Sequence, residues 1–349
     1  MPGIDLHAHL APLLGEPSAD VAGGGAAPSG GELRAGPDPR DDGLPAGVTA
    51  TADGRLAVDG HAVGPAGLYD PDRLVDHLAS LGLDAAAVSV PPPFFRQQLG
   101  AEQAAAWARA ANDGLLATIG DRPQLLPLAY LPLEHPPLAL AEYERVRGQG
   151  RWAGVCGSAG GRSVSLADDA LAPLWSALDR DARLLLLHPG SSPDPRLERF
   201  YLGNLLGNPV ESALAAAELV FGDVLATHPR MRVLLVHCGG CTAGLVGRWE
   251  RGVETSRPGL RPLAEPPRVA VRRLSVDCLA HDPAVVSLAL ETFGEERLVL
   301  GSDWPFPMGI DDPRELVAHL PADLRARIAV DNAHRLLGIT GDRAEPAEA

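Results

Sequence analysis

Eight short apolar runs, bounded by turn residues and separated by stretches of helical spacing, constrain this 349-residue chain more than any other feature. The runs cover residues 3–8, 85–90, 125–131, 153–157, 183–188, 232–237, 274–278 and 297–302. Between them, apolar residues recur at helical intervals in 71–81, 101–118, 138–147, 168–180, 210–227, 283–293 and 322–330, the first of these opening on Pro71, where a proline suits the first helical turn. The Leu-Leu-Leu-Leu run at 184–187 and the Val-Leu-Leu-Val run at 233–236 are continuously apolar, as parallel strands covered on both faces must be. An open doubly wound sheet would carry a glycine-rich phosphate turn after an early strand, and none follows the first run. The pattern predicts an α/β fold, a (β/α)8 TIM barrel spanning residues 1–340.

Residues 11–69 break the rhythm. They are rich in Gly, Pro and Asp and too long for an ordinary connection after the first strand. Within them, residues 48–51 and 55–58 flank Asp53-Gly54, a hairpin turn signal, so the segment reads as a small inserted cap on the face where barrel active sites lie. The glycine-rich 23–31 reads as mobile and 341–349 as a frayed polar tail.

Composition removes several function classes. Forty-five acidic against 30 basic residues give a net charge of −15, which repels phosphate backbones and argues against a nucleic-acid partner. Every basic residue is arginine, so no Schiff base, phosphate-clamping lysine or carbamylated-lysine metal bridge can be built. No apolar stretch approaches the ~20 residues that cross a bilayer, and the start lacks a secretory pattern, so a soluble cytoplasmic protein without a membrane partner is expected. Four cysteines, Cys156, Cys238, Cys241 and Cys278, make no disulfide framework. The glycines between Cys238 and Cys241 read as a tight structural turn.

The chemistry gathers at strand ends. His7 and His9 lie two apart on the first run, on one face and about 7 Å apart along the backbone. The fifth run ends in His188-Pro189, the sixth in His237-Cys-Gly-Gly240, and the eighth leads into Asp303-Trp-Pro-Phe-Pro307. Parallel barrel strands bring their C-terminal ends to one mouth, so these residues are predicted to meet.

The pair His7-x-His9, the His188-Pro189 dipeptide, the HCGG of 237–240, the segment SVDCLAHDP and above all GSDWPFPMG resemble the amidohydrolase superfamily, in the branch typified by aminocarboxymuconate semialdehyde decarboxylase. The resemblance implies that His7, His9, His188 and Asp303 bind one divalent metal, with Asp303 and His237 as catalytic acid/base groups. Three imidazoles and a carboxylate suit Zn²⁺, with Mn²⁺ as the alternative. It further implies that Arg257 reaches a substrate carboxylate across a homodimer interface. Arg162 and Trp304 are further substrate-binding candidates, while His281 reads as helix-start structure. The branch's decarboxylase carries a tryptophan after the His-Pro dipeptide and a second arginine on the inserted hairpin; Gly190 and about Val58 stand there in this chain, which points to a different small carboxylate.

The expected function is therefore metal-dependent, non-oxidative decarboxylation of a small unsaturated or aromatic acid. The same ligands would equally serve a hydrolase of a lactone, ester or amide, and a silent ligand-binding barrel is the alternative outside enzymes.

Overall fold

A computed structural model describes residues 3–15 and 43–339; the expectations for 23–31 and 341–349 fall outside them. The strands are β1 (Ile4–His9), β2 (Val48–Ala50), β3 (Leu56–Val58), β4 (His61–Ala62), β5 (Ala85–Ser89), β6 (Leu125–Tyr130), β7 (Gly154–Ala159), β8 (Leu184–Pro189), β9 (Arg232–Leu235), β10 (Leu274–Asp277) and β11 (Leu298–Val299). β1 and β5 to β11 form one parallel sheet in chain order. The sheet curls until its edges meet at two isolated bridges, Asp5 with Leu300 and Ala8 with Trp304. There the Leu6 amide donates to the Leu300 carbonyl at 2.9 Å and the Asp303 amide to the His7 carbonyl at 2.8 Å. This is the expected (β/α)8 barrel.

The helices follow the apolar spacing. In Pro71–Leu81, Asp70 caps the Arg73 amide at 3.0 Å and the inward residues Leu74 and Leu78 are buried, each such burial stabilising by about 1.5–3 kcal/mol. The stretch expected over 210–227 is divided into Asn208–Phe221 and Val224–Thr227, because Gly222 ends the first helix and Asp223 takes a left-handed conformation. The last stretch, expected over 322–330, breaks into Ala322–Ala326, a wider turn over Arg327–Asp331 and Asn332–Leu337. Helix Thr242–Glu254 was not legible: Gly244, Gly247 and Gly252 dilute its helical pattern.

The inserted segment carries the expected hairpin and one strand more. β2 pairs antiparallel with β3, and β3 with β4. Arg96, buried beside this small sheet, donates to Asp59 at 2.6 Å and to the Ala46 carbonyl at 2.9 Å, and lies 4.7 Å over the Trp107 ring. One guanidinium therefore ties the hairpin sheet to helix Ala101–Ile119, through a paired charge and a cation–π contact.

Candidate metal centre

β1 delivers two imidazoles to the barrel mouth because alternate residues share a face. His7 and His9 are fully buried with ring centroids 5.2 Å apart. His188, the fifth residue of β8, brings its ring to 5.2 Å from His7 and 5.1 Å from His9. Asp303 arrives from beyond β11, in a left-handed conformation anchored by its amide on the His7 carbonyl. One donor atom from each of His7, His9, His188 and Asp303 lies within 4.8 Å of the other three.

These donors fit a cation. Asp303 Oδ1 sits 3.1 Å from His9 Nε2 and 3.4 Å from His7 Nε2, yet all three atoms are shielded from water and have no hydrogen-bond partner among the described residues. Buried polar atoms are ordinarily satisfied; three that converge without bonding one another match what a divalent ion requires of its ligands. Burial lowers the pKa of His9, and burial followed by repulsion from His237, His9 and His7 holds His188 well below the ordinary imidazole range. Both are thus poised as neutral rings, the form that coordinates. Burial alone would raise the Asp303 carboxyl, but the His7 charge, with the His237 and His9 rings beside it, outweighs burial and holds the group well below the usual carboxylate range.

His237 stands beside the four donors and closes no ligand set. Its Nε2 is 3.9 Å from Asp303 Oδ2, and its ring centroid 5.0 Å from that of His188. It lies beyond the end of β9, opening a run of four left-handed residues, His237, Cys238, Gly239 and Gly240. A Cβ on Gly240 would collide with the Pro209 carbonyl, so the two glycines are required by the turn. Cys238 is buried in this turn, and Cys241 is exposed.

Two carboxylates that sequence reasoning missed hold the constellation. Asp277, fully buried at the end of β10, places Oδ2 2.8 Å from His7 Nδ1 and accepts the amides of His237 at 3.1 Å, Cys238 at 2.7 Å and Leu279 at 3.0 Å. Burial would raise this carboxyl, but the His7 bond and charge bring it below its usual value. Asp5 accepts the amides of His7 at 3.0 Å and Ser302 at 3.1 Å. The available signal was an ionisable residue ending an apolar run, which Asp277 shares with His188 and His237.

A cleft opens over the donors in adjoining lobes of about 300 and 180 Å³. Tyr201, Phe306, Pro92 and Pro93 offer flat apolar walls; Asn204, Asn208 and His237 offer hydrogen bonds. His281, read from sequence as helix-start structure, is exposed and lines this cleft, while the cap of helix Pro283–Phe293 is Asp282. Arg162 is exposed on a neighbouring recess that includes Gly190 and shares Pro92 and Pro93. Arg257 is exposed after helix Thr242–Glu254 and donates to the Thr255 carbonyl at 3.0 Å. Trp304 is buried and stacks on His77, with centroids 6.1 Å apart, outside the residues lining either lobe.

Known proteins share both sequence and fold. The chain is similar to a 2-amino-3-carboxymuconate-6-semialdehyde decarboxylase of Dictyostelium discoideum, 26% identical over 253 residues that cover 71% of this chain and 70% of the relative. A gamma-resorcylate decarboxylase of Rhizobium radiobacter is 26% identical over 286 residues, covering 74% and 84%. The crystal structure of a 5-carboxyvanillate decarboxylase from Sphingomonas paucimobilis superposes with a TM-score of 0.69 at 25% identity, over 77% of this chain and 83% of that one. Residues 4–339 match the amidohydrolase family model, nearly the whole chain, and the protein belongs to that family.

Proposed function

We propose that this protein is a metal-dependent, non-oxidative decarboxylase of a small unsaturated or aromatic carboxylic acid. The observation that carries the reading is the convergence of three unpartnered buried donor atoms, on His7, His9 and Asp303, with His188 and His237 at the floor of a flat-walled cleft. The relatives' names, all decarboxylases of unsaturated or aromatic acids, support it.

His7, His9, His188 and Asp303 are the proposed ligands, with Zn²⁺ favoured by the donor set and Mn²⁺ the alternative. The bound ion would supply Lewis-acid polarisation of the substrate carboxylate and a neighbouring oxygen. The chain does the rest. Tyr201, Phe306 and the prolines hold the planar acid and exclude water, and Asn204 and Asn208 orient its polar edge. The bond between the ring carbon and the carboxylate breaks with its electron pair kept on carbon, and CO2 leaves. His237 gives that carbon a proton, or Asp303 does so after first taking one from the substrate acid.

Arg257 and Arg162 are the proposed substrate contacts, Arg257 acting from a second subunit; Trp304, buried against His77 outside both lobes, is left out of them. An exposed apolar ridge of Phe200, Tyr201, Leu205, Leu206, Val210 and Leu214 runs beside the cleft and supports the homodimer. The same reading assigns the enzyme to the cytoplasm, which suits four unbridged cysteines.

Headspace CO2 measured during turnover of a panel of phenolic and unsaturated acids tests the reaction. Stoichiometric CO2 supports decarboxylation; acid release from lactones or esters without CO2 would replace it with hydrolysis.

A further inference from the structure

At the end of the barrel opposite the metal centre, the starts of β9, β10 and β11 and helix Asn332–Leu337 border a second recess of about 390 Å³. Arg230, Arg232, Arg273, Arg297 and Arg335 line it, with Glu296 as the one acidic residue among its lining. In a chain of net charge −15, this reverses the sign of the local field.

The arginines are mostly uncompensated. Arg273 pairs with Glu265 at 2.6 Å, and Arg297 approaches Glu296 only at 3.8 Å. Among the described residues, no carboxylate lies within ion-pair distance of Arg230, Arg232 or Arg335. Arg232 donates to the Leu336 carbonyl at 3.4 Å, Arg335 to the Glu296 carbonyl at 3.2 Å and Arg230 to the Arg180 carbonyl at 2.7 Å. The Nε of Arg297 is shielded from solvent and has no hydrogen-bond acceptor among the described residues. Guanidinium groups stay charged in proteins, so five around one recess repel one another and leave donors unspent. Burial, then repulsion from Arg183 and Arg230, pushes the Arg232 pKa down; burial does the same to Arg297, with Arg335 and Arg273 adding to it against a partial offset from Glu296.

We propose that this recess is an anion-binding site, distinct from the catalytic cleft, that takes a small multiply charged oxyanion of the phosphate or pyrophosphate class. Planar guanidinium forks match phosphate oxygens in pairs, and the volume suits a small solute. Arg232 and Arg297, set deepest, carry the charge; Arg335 and Arg230, both exposed, close the rim. The site would tie the starts of β9, β10 and β11 to helix Asn332–Leu337, so its occupancy stabilises the barrel base by linkage.

The test is calorimetric titration of the full-length protein with pyrophosphate and with inorganic phosphate, alongside thermal melts at constant ionic strength in sodium chloride. Saturable pyrophosphate binding with a rise in Tm of a few degrees is expected, with affinity falling about tenfold in Arg335→Ala and further in Arg232→Ala. Arg335 is exposed, so its replacement leaves the fold in place should Arg232→Ala fail to fold. Binding must persist in His188→Ala; its loss there would locate the anion at the metal centre and overturn the site. The acidic residues Asp342, Glu345 and Glu348 follow Arg335 in the chain and are the rival source of negative charge. If the wild type takes up no anion but Asp342→Asn, Glu345→Gln, Glu348→Gln does, the chain's own end is the occupant and the proposal fails. Absence of binding in both proteins also overturns it.

Discussion

Asp277 Oδ2 lies 2.8 Å from His7 Nδ1, and both side chains are fully buried. The same carboxylate accepts the amides that open the His237 turn. One side chain thus orients a proposed metal ligand and positions the proposed proton donor, which puts the end of β10 in control of two strands it does not belong to.

Replacing this carboxylate by its amide has a defined cost. Oδ2 accepts from His7 and the His237 amide, and Oδ1 from the Cys238 and Leu279 amides; asparagine has one oxygen and must turn an N–H₂ toward donors on the other edge. Asp277→Asn is expected to lose metal affinity by about 10–100-fold and stability by about 1–3 kcal/mol. Competition with a chromophoric chelator and urea unfolding measure the two; wild-type affinity would remove the orienting role.

His188 and His237 should separate by phenotype. His188→Ala removes a proposed ligand, so metal content and turnover should fall together while far-ultraviolet circular dichroism is retained. His237→Gln should keep its metal and lose about 10²–10⁴-fold in kcat. Elemental analysis beside steady-state kinetics checks both, and full turnover by His188→Ala would refute the ligand assignment.

Removing the ion should loosen the barrel mouth. His7 Nε2, His9 Nε2 and Asp303 Oδ1 have no other partner among the described residues, so dialysis against a chelator is expected to lower Tm, and Zn²⁺ or Mn²⁺ to restore it. At a free metal concentration 100 times Kd, linkage predicts about 2.7 kcal/mol. An unchanged melt after verified depletion would argue that the donors are held by the scaffold alone.

Asp181 offers a pH signature away from the site. Burial opposes its ionisation, but Tyr143 Oη at 2.7 Å, Arg180 Nε at 3.1 Å and Arg147 Nε at 2.8 Å hold its pKa far below the usual carboxylate range. A depressed folded pKa gives stability that is complete above the unfolded value of about 3.9 and fades as pH falls through the folded one. Asp181→Asn should therefore be less stable than wild type by about 1–2 kcal/mol at pH 7, still so at pH 5, with the gap closing toward pH 2. Urea midpoints at the three pH values decide it.

Gly240 should tolerate no side chain. Its left-handed φ of 61° and the Pro209 carbonyl standing where a Cβ would go mean that Gly240→Ala displaces the His237 turn, costing about 1–3 kcal/mol. Thermal melts and kcat are expected to fall together.

Much of the fold was legible because each parallel strand, buried on both faces, writes a short apolar run. The ends expected at 85, 125, 232 and 274 coincide with strand starts. The eighth run shrank to Leu298–Val299 because Leu300 turns to bridge β1, a long-range event with no local signature. The helix at Thr242–Glu254 was hidden by glycines that tertiary packing tolerates.

His7, His9, His188, His237 and Asp303 were legible for a related reason: parallel topology turns a residue type at the end of a run into a position at one rim. Asp277 and Asp5 were not, since a carboxylate that only accepts hydrogen bonds, Asp277 from the His7 ring and amides and Asp5 from amides and the Ser302 hydroxyl, has the same sequence appearance as one facing water.

By itself, then, the sequence determined the repeat of strand and helix and which residue types could reach the mouth, because periodicity and strand ends are local properties of the chain. Which atoms converge, which carboxylate holds which imidazole, and how five arginines come to share one recess were decided by tertiary structure alone, because distances and desolvation depend on neighbours that are remote in sequence.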